Sequence, residues 1–376
     1  MSFIPAYPPV HFGFGALAEL ENELSARGVD RPLIITDKGL VEHGVYQVVR
    51  ETLPPTMNVA MYGEIPENPT IAGIDAALAV YKTEKCNGII ALGGGSVLDS
   101  GKALRVVALQ GGEVMDYLKD PAKITKDVAP YITIPTTAGT GAEVTFGGGI
   151  HPETNAPAMG IRSPNVKPDV AIVDPTVTLT LPPRLTAATG MDALTHCVEG
   201  YLSNASNPPG EAIALDGIRR VVDFVERATA DGGDRVARSE MAMAALQGGM
   251  SIYMGLGPIH ALSMAFGDSP LHHGTLVTVA MPAVMRFYNG RAEVRLAQVA
   301  EAMRLTPDAD AGNRIADATA ELNDKLGLPD TVRKMGYDKN DLDRMIDDAH
   351  GSYFNHAAPV APNRDDYVGI VTEVLG

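Results

Sequence analysis

The sequence predicts a doubly wound α/β domain followed by an all-helical domain, and three observations lead to this. Up to about Pro183, short β-branched runs alternate with amphipathic stretches, which is typical of buried parallel strands joined by helices. Beyond Leu181-Pro182-Pro183, helical spacing dominates and strand-like runs are few. The length of 376 residues also exceeds what one typical core holds. We therefore expect an α/β domain at residues 1–183 and a helical domain at residues 184–376.

The individual elements follow from the same patterns. Buried strands are predicted at residues 33–36, 88–92, 131–134 and 170–173. In the first domain, amphipathic spacing predicts helices over residues 16–27 and 70–85. In the second domain, it predicts helices over residues 211–229, 235–254, 292–304, 311–326 and 339–349. Asp310 is the candidate N-cap of the fourth of these helices, and Asp341 is expected in the first turn of the fifth.

The composition excludes several classes of partner. With 46 acidic and 30 basic residues the net charge is -16, so the chain repels phosphate backbones and anionic lipid, and we expect neither nucleic acid nor a membrane as a partner. No apolar run approaches the roughly 18 residues of a spanning helix, and the first residues lack the pattern of a secretory leader. The two cysteines, Cys86 and Cys197, lie far apart, which fits a reducing compartment. We expect a cytoplasmic protein.

Two loops that follow predicted strands are candidates for nucleotide binding. Gly93-Gly94-Gly95-Ser96 follows the strand at 88–92 and opens a helix, where glycines let the backbone approach a pyrophosphate and free N–H groups attract it. Ser96 and Asp99 also fit a helix-capping pattern, so the loop could serve the helix alone. The hydroxyl-rich residues 135–145 follow the next strand, at the edge where open α/β sheets bind ligands.

A competing glycine motif lies near the N-terminus. Gly13-Phe14-Gly15 begins a dinucleotide fingerprint, and Asp37 follows at about the expected distance of 20 residues. However, residues 7–12 contain two prolines and no buried-strand run, so a central strand is disfavoured there. We therefore prefer the loop at Gly93.

A carboxylate and three imidazoles form a candidate metal site. Asp192 and His196 lie four residues apart, so a helix would place both on one face. His260 and His273 follow later in the chain, and this set of ligands suits a divalent transition metal such as iron(II) or zinc. A lone histidine is more often a packed or solvated residue. That interpretation is given to His11, His43, His151, His350 and His356.

Taken in order, these motifs resemble the iron-containing (group III) alcohol dehydrogenase family. The matching segments are Asp37 in Thr-Asp-Lys-Gly, Asn68 in Pro-Glu-Asn-Pro-Thr, residues 93–102, residues 135–145, residues 188–196, and the spaced pair His260 and His273. The resemblance covers essentially the whole chain. Residues 206–217 and 271–276 further resemble the 4-hydroxybutyrate dehydrogenase branch.

The resemblance implies a Rossmann-like N-terminal domain, a helical C-terminal domain and an active site in the cleft between them. It implies hydride transfer between NAD(H) and an alcohol or aldehyde, iron(II) or zinc as the metal, and a homo-oligomer, a dimer. The implied metal ligands are Asp192, His196, His260 and His273. The implied cofactor-binding residues are Asp37, Asn68, Gly94, Gly95, Ser96, Asp99, Thr136, Thr137 and Thr140.

Two positions depart from the family pattern. Ala158 stands where members usually carry a lysine that contacts the cofactor ribose, and Met264 stands where many carry a histidine facing the nicotinamide. Without that imidazole, a proton would leave through ribose hydroxyls, water or His272, so His272 is the candidate catalytic residue. Between His272 and His273, the family ligand directly precedes glycine, which favours His273 as the ligand.

Two other functions are possible on such a chain. One is a non-redox metal enzyme similar to dehydroquinate synthase, whose substrate pocket needs many basic residues, whereas the motifs here carry few beyond Lys102, Arg162 and Arg184. The other is a metal-free relative that binds only nucleotide, against which the intact set of four ligands argues.

Overall fold

A parallel sheet of six strands forms the centre of the N-terminal region in the computed structural model, which describes residues 4–154, 156–269 and 271–376. The described residues form eight strands in all, β1 (Val10–Phe12), β2 (Pro32–Ile35), β3 (Ala60–Tyr62), β4 (Gly88–Gly93), β5 (Tyr131–Pro135), β6 (Gly147–Ile150), β7 (Met159–Arg162) and β8 (Val170–Val173). The sheet order is β1-β8-β5-β4-β2-β3, and β6 and β7 form a separate antiparallel pair. The four predicted strands are β2, β4, β5 and β8.

Helices cover both faces of this sheet. They are α1 (Leu20–Ala26), α2 (Lys38–Glu42), α3 (Val45–Arg50), α4 (Ile71–Thr83), α5 (Gly95–Gln110) and α6 (Val114–Lys119). Leu33 and Ile89 pack with α4 and α5, whereas Ile34 and Ile90 pack with α1 and α3 on the opposite face. This alternation buries β2, β4, β5 and β8 on two sides and confirms the doubly wound α/β prediction.

The prediction for residues 16–27 was right about helix but not about type. The segment starts as a 3-10 helix over Ala16–Glu19 and continues as α1. The strand that precedes this segment, β1, lies at the edge of the sheet. Prolines are tolerated near an edge strand because one side of it makes no hydrogen bonds to a neighbouring strand.

The C-terminal region is helical, as predicted. Its helices are α7 (Pro183–Leu202), α8 (Pro208–Ala230), α9 (Arg235–Ser251), α10 (Pro258–Ala265), α11 (His273–Tyr288), α12 (Glu293–Ala302), α13 (Ala311–Lys325), α14 (Leu342–Gly351) and α15 (Arg364–Leu375). Helices α7, α8 and α9 pack on one another around a large apolar core. Pro282 lies inside α11 and lacks the N–H that would reach the carbonyl of Thr278; the Asn323 amide donates to that carbonyl instead, at 3.2 Å.

The two predicted helix starts differ from the structure in their capping. Asp341 is the N-cap of α14, outside its first turn, and its side chain accepts from the Arg344 N–H at 3.2 Å. Asp310 occupies the N-cap position of α13, but its carboxylate accepts from the Asn313 amide at 2.7 Å and makes no cap bond.

Contacts divide the chain into two units. One comprises residues 6–137 and 142–181, and the other comprises residues 1–5, 138–141 and 182–376. The short segment 138–141 thus leaves the α/β sequence and belongs to the helical unit. The domain limits at 183 and 184 stay a prediction. None of the helices in the described ranges is long and apolar enough to cross a membrane.

Candidate metal centre and cofactor loops

Helix α7 presents the first two predicted ligands on one face. Asp192 and His196 are both buried, with His196 Nε2 3.7 Å from Asp192 Oδ1. Gly248 packs closely against His196 because it has no side chain: a Cβ at this position would lie only 3.2 Å from the His196 Cβ. The helical spacing predicted from the sequence therefore places both side chains together.

The other two histidines come from the start of two further helices. His260 lies in the first turn of α10, after Gly257-Pro258, and His273 begins α11. One ligand atom each from Asp192, His260 and His273 lies within 4.8 Å of the other two. The His260 ring stacks on His196 at 4.9 Å between centroids and lies 5.5 Å from His273. Three of the four predicted ligands therefore lie close enough to share one ion, and His196 lies beside them, against Asp192 and the His260 ring.

Two atoms of this cluster are buried without a hydrogen-bond partner in the described part of the chain, Asp192 Oδ1 and His260 Nε2. Leaving such a group unsatisfied costs about 1–3 kcal/mol, and native structures contain few of them. A divalent cation would satisfy both atoms at once. The donor set, one carboxylate oxygen with imidazole nitrogens, fits iron(II) or zinc.

The outer ring nitrogens of two histidines are held by oxygen acceptors. His196 Nδ1 lies 3.3 Å from the Gly139 carbonyl, and His260 Nδ1 lies 2.5 Å from Glu199 Oε2. Sequence reasoning missed Glu199. Its signal was present, because Glu199 follows Asp192 by seven residues and His196 by three, which puts all three on one helical face.

The protonation states suit metal binding. Burial lowers the pKa of His260 to about 3, and the neighbouring His196 adds to the effect. Desolvation by the surrounding protein also lowers the pKa of His273 to about 4, although solvent still reaches its side chain. Burial opposes ionisation of Asp192, but the neighbouring imidazoles outweigh it and hold its pKa below the usual value. At neutral pH, His260 and His273 are therefore neutral imidazoles and Asp192 is an ionised carboxylate.

Three side chains border the cluster. His272, the predicted catalytic residue, is the N-cap of α11, and its Nδ1 accepts from the Thr275 N–H at 3.3 Å. Met264 is half-buried one turn after His260 on α10. Phe354, which sequence reasoning missed, lies 5.6 Å from the His260 ring centroid to centroid.

The glycine loop leads from β4 directly into α5. Gly94 is the N-cap residue of α5, and as a glycine it has no side chain that could accept a hydrogen bond from the N–H groups of the first turn. The predicted Ser96–Asp99 capping pattern is wrong: Ser96 Oγ donates to the Glu67 carbonyl, while Asp99 accepts from Lys102 Nζ and from the Gly149 N–H, each at 3.0 Å. The N–H groups at the start of α5 are therefore not used by a side-chain cap, and such groups bind phosphate.

The hydroxyl-rich loop begins beside the glycine loop. The Thr136 N–H donates to the Gly93 carbonyl at 3.0 Å, and a Cβ on Gly94 would lie 3.2 Å from Thr137 Cγ2. Asn68 is half-buried in the segment whose Glu67 carbonyl accepts from Ser96. Thr140 is half-buried in the segment 138–141, within the helical unit.

Asp37 follows β2, which pairs with β4 in the sheet. The helices that follow these two strands, α3 after β2 and α5 after β4, pack on opposite faces of the sheet. Ligands of doubly wound sheets bind at such a switch point. Asp37 caps α2, and its Oδ1 accepts from the Leu40 N–H at 2.9 Å.

The disfavoured glycine motif, Gly13-Phe14-Gly15, is hydrogen-bonded to a carboxylate of the same α/β unit. Asp174 Oδ2 accepts from the N–H groups of Gly15 and Leu17, at 2.9 and 3.1 Å. These donors are therefore used by a protein carboxylate, where a fingerprint loop would offer them to a pyrophosphate.

Comparison with known proteins decides the family. Residues 8–175 match the profile of iron-containing alcohol dehydrogenases, and residues 186–375 match the C-terminal profile of the Fe-containing alcohol dehydrogenase family. The chain belongs to the iron-containing alcohol dehydrogenase family. It is therefore an NAD-linked oxidoreductase that acts on an alcohol or a hydroxy acid, and iron(II) is the metal of its family.

Individual relatives of this iron-containing alcohol dehydrogenase are similar over their full length. The 4-hydroxybutyrate dehydrogenase of Cupriavidus necator is 40% identical over 98% of each chain. The NAD-dependent methanol dehydrogenase of Bacillus methanolicus is 31% identical over 99% of each chain. The crystal structure of a 1,3-propanediol oxidoreductase superposes with a TM-score of 0.91, at 29% identity and with full coverage of both chains.

Proposed function

We propose that Asp192, His196, His260 and His273 bind one divalent metal ion and that the enzyme interconverts an alcohol and an aldehyde there. The observation that carries this proposal is the pair of buried, unpartnered atoms, Asp192 Oδ1 and His260 Nε2. When bound, the cation would lower the pKa of an alcohol hydroxyl and so favour departure of a hydride to the nicotinamide. The protein holds the ligand atoms in place and excludes bulk water from Asp192 and His260.

The cofactor is proposed to bind along the two loops that follow β4 and β5, with its adenosine ribose at Asp37. The proposed contacts are Asp37, Asn68, Gly94, Gly95, Ser96, Asp99, Thr136, Thr137 and Thr140. The uncapped start of α5 supports a pyrophosphate there. Asp99 also holds Lys102 and Gly149 beside the loop, since each of its carboxylate oxygens accepts a hydrogen bond from one of them.

The proposed substrate is a short primary alcohol or an ω-hydroxy acid, with 4-hydroxybutyrate and succinate semialdehyde the first pair to test. The similarity to the C. necator enzyme supports this pair. Met264 and Phe354 would supply apolar walls near the metal centre. His272 is the proposed route for the proton through its second ring nitrogen, because its Nδ1 serves the cap of α11.

The metal proposal is tested by elemental analysis of His260→Ala beside wild type. Removal of a ligand should strip most of the metal and reduce turnover strongly. His350→Ala is the matched control, because His350 is an exposed histidine at the end of α14 and should retain wild-type metal content. Equal occupancy in wild type and His260→Ala would reject the assignment.

The cofactor and substrate proposals are tested by kinetics. Wild type should prefer NADH to NADPH, because the Asp37 carboxylate repels a 2′-phosphate, and Asp37→Gly should reduce that preference. A panel of aldehydes with and without a carboxylate should include succinate semialdehyde among the best substrates. Neutral aldehydes turned over far faster would reject the hydroxy-acid branch but not the dehydrogenase activity.

A dehydroquinate synthase-like reaction is disfavoured by how the basic residues are used. The Lys102 ammonium donates to Asp99, Thr145 and Gly147 inside the α/β unit, and the Arg162 guanidinium stacks on Phe146 at 4.8 Å. Lys102 is therefore not available as a spare cation for a polyanionic substrate. We further propose a homodimer in a reducing compartment, the cytoplasm, where the two buried free cysteines would persist.

A further inference from the structure

We propose that Glu199 is a positioning residue that holds His260 in the one tautomer able to bind the metal. This inference rests on the ligand set proposed above. Glu199 lies on α7, on the same face as Asp192 and His196, and is buried. It belongs to neither the ligand set nor the cofactor loops.

The hydrogen bonds of Glu199 define which atoms carry protons. The Ile259 N–H donates to Oε1 at 2.7 Å, and His260 Nδ1 lies 2.5 Å from Oε2. A backbone N–H can only donate, and an ionised carboxylate can only accept. Burial raises the pKa of Glu199 to about 7, although the backbone N–H groups of Gly257, Ile259 and His260 favour its ionised form. When His260 Nε2 binds a cation, that nitrogen must keep its lone pair, so Nδ1 carries the ring proton and donates it to the Glu199 carboxylate.

The position of this proton determines the state of the other ring nitrogen, His260 Nε2. A neutral imidazole with its proton on Nδ1 has its lone pair on Nε2, and this atom is buried with no partner in the described ranges. Glu199 thus fixes both the orientation of the His260 ring and the availability of its ligating nitrogen. Outer carboxylates of this kind also increase the basicity of a ligating histidine.

The backbone next to His260 is shaped to admit this carboxylate. A Cβ on Gly257 would lie only 3.0 Å from Glu199 Oε1, closer than nearly all real contacts of that kind. His196, by contrast, is oriented by a neutral carbonyl at Gly139. With a divalent cation bound, an ionised Glu199 would add a second negative charge near Asp192, and two carboxylates would balance the charge of the cation in a buried site.

The decisive variant is Glu199→Gln, which keeps the shape of the side chain. If the Gln oxygen accepts from the Ile259 N–H, its NH₂ group faces His260 Nδ1 and forces the ring proton onto Nε2, where it blocks the metal. If the amide is reversed, its NH₂ group opposes the Ile259 N–H. Either way, metal affinity should fall by about 10- to 100-fold, measured with zinc alone by competition against a chromophoric chelator.

Two further readouts separate positioning from a structural role. In metal-free protein labelled with ¹⁵N-histidine at pH 8.5, above the pKa of about 7 to which burial raises Glu199, the His260 signals should show an Nδ1–H tautomer in wild type and its loss in Glu199→Gln. Glu143→Gln is the matched control, since Glu143 is also a buried glutamate but lies in the α/β unit, and it should leave zinc affinity unchanged. Wild-type zinc affinity and tautomer in folded Glu199→Gln would overturn the proposal.

A second variant covers the case in which Glu199→Gln does not fold. Gly257→Ala should displace the carboxylate and also weaken zinc binding, whereas unchanged affinity would overturn the role of Glu199. Failure of the underlying ligand set is distinguishable, because His260→Ala would then retain wild-type zinc. If His260→Ala loses zinc and Glu199→Gln does not, only the present inference fails.

Discussion

The two units each contain a charged cluster that includes two residues of the same helix, and the clusters differ in one respect. In the α/β unit, the closed cluster consists of Lys102, Asp99, Thr145, Gly147 and Gly149, and all three protons of the Lys102 ammonium have acceptors at 2.6 to 3.0 Å. In the helical unit, the open cluster consists of Asp192, His196, His260 and His273, and two of its buried atoms have no hydrogen-bond partner within the described residues. The first cluster is complete without a ligand, and the second requires one.

This difference shows what separates a structural charge pair from a binding site. Asp99 and Lys102 are three residues apart and Asp192 and His196 are four apart, so both pairs share a helical face and have the same kind of sequence signal. Only the count of satisfied hydrogen-bonding atoms separates them. A closed cluster should contribute to stability, and an open one to ligand binding.

The largest expected effect comes from Asp192→Asn, which alters the open cluster. Loss of the charged ligand should reduce kcat/KM by more than the roughly 100-fold seen when outer partners of a ligand are removed. Without metal the variant should be slightly less stable than wild type at neutral pH, because the lowered pKa of Asp192 shows that its surroundings favour the ionised carboxylate in the folded state. Thermal unfolding with and without added zinc should show a metal-dependent rise in Tm for wild type alone. A metal-free variant that is much less stable than wild type would contradict the comparison.

An intermediate effect is expected from Lys102→Met in the closed cluster. The Lys102 side chain is 0% exposed, and its removal leaves Asp99, 20% exposed, beside the glycine loop without its cation. The free energy of unfolding should fall by about 3 kcal/mol, measured by urea denaturation, with unchanged metal content. Lys334→Met is the control, because Lys334 and Asp330 form an exposed pair whose loss should cost less than about 1 kcal/mol. Equal effects of the two substitutions would remove the distinction.

The smallest expected effect concerns Glu143, 2% exposed, a carboxyl group in the α/β unit. Burial raises the pKa of Glu143 to about 7, although the hydrogen bond from its own backbone N–H and the positive charge of Lys102 both lower it. Because the folded state then binds more protons than the unfolded state between pH 4.5 and 7, stability falls as pH rises through that window. Glu143→Gln should reduce this fall by about 1–2 kcal/mol, measured by urea unfolding of metal-free protein at pH 5 and pH 8. An unchanged pH profile would show that Glu143 is not a buried carboxyl group.

Regular, strongly patterned features of the fold were predictable from the sequence. The runs that became β2, β4, β5 and β8 are β-branched and continuous because both sides of each strand are buried. The β6 strand was not predicted, since Gly147-Gly148-Gly149 has no strand pattern; a Cβ on Gly148 would lie 2.5 Å from Asp99, so close packing decides that residue.

The candidate site divides in the same way. Asp192 and His196 were predictable because local helical spacing brings them together. His260 and His273 were matched only through the family resemblance, since nothing local joins them to α7. Glu199 was missed because its partners, Ile259 and His260, lie about 60 residues away and appear only on packing. The Ser96–Asp99 cap failed because tertiary partners, Glu67 and Gly149, took both side chains.

The proline inside α11 has a consequence for how the helical unit assembles. The Thr278 carbonyl receives its hydrogen bond from Asn323, 45 residues further along the chain, because Pro282 cannot supply it. The hydrogen-bond ladder of α11 is therefore incomplete until α13 has docked. The helix that begins at His273 should acquire its full amide protection from hydrogen exchange together with α13, as one cooperative folding unit.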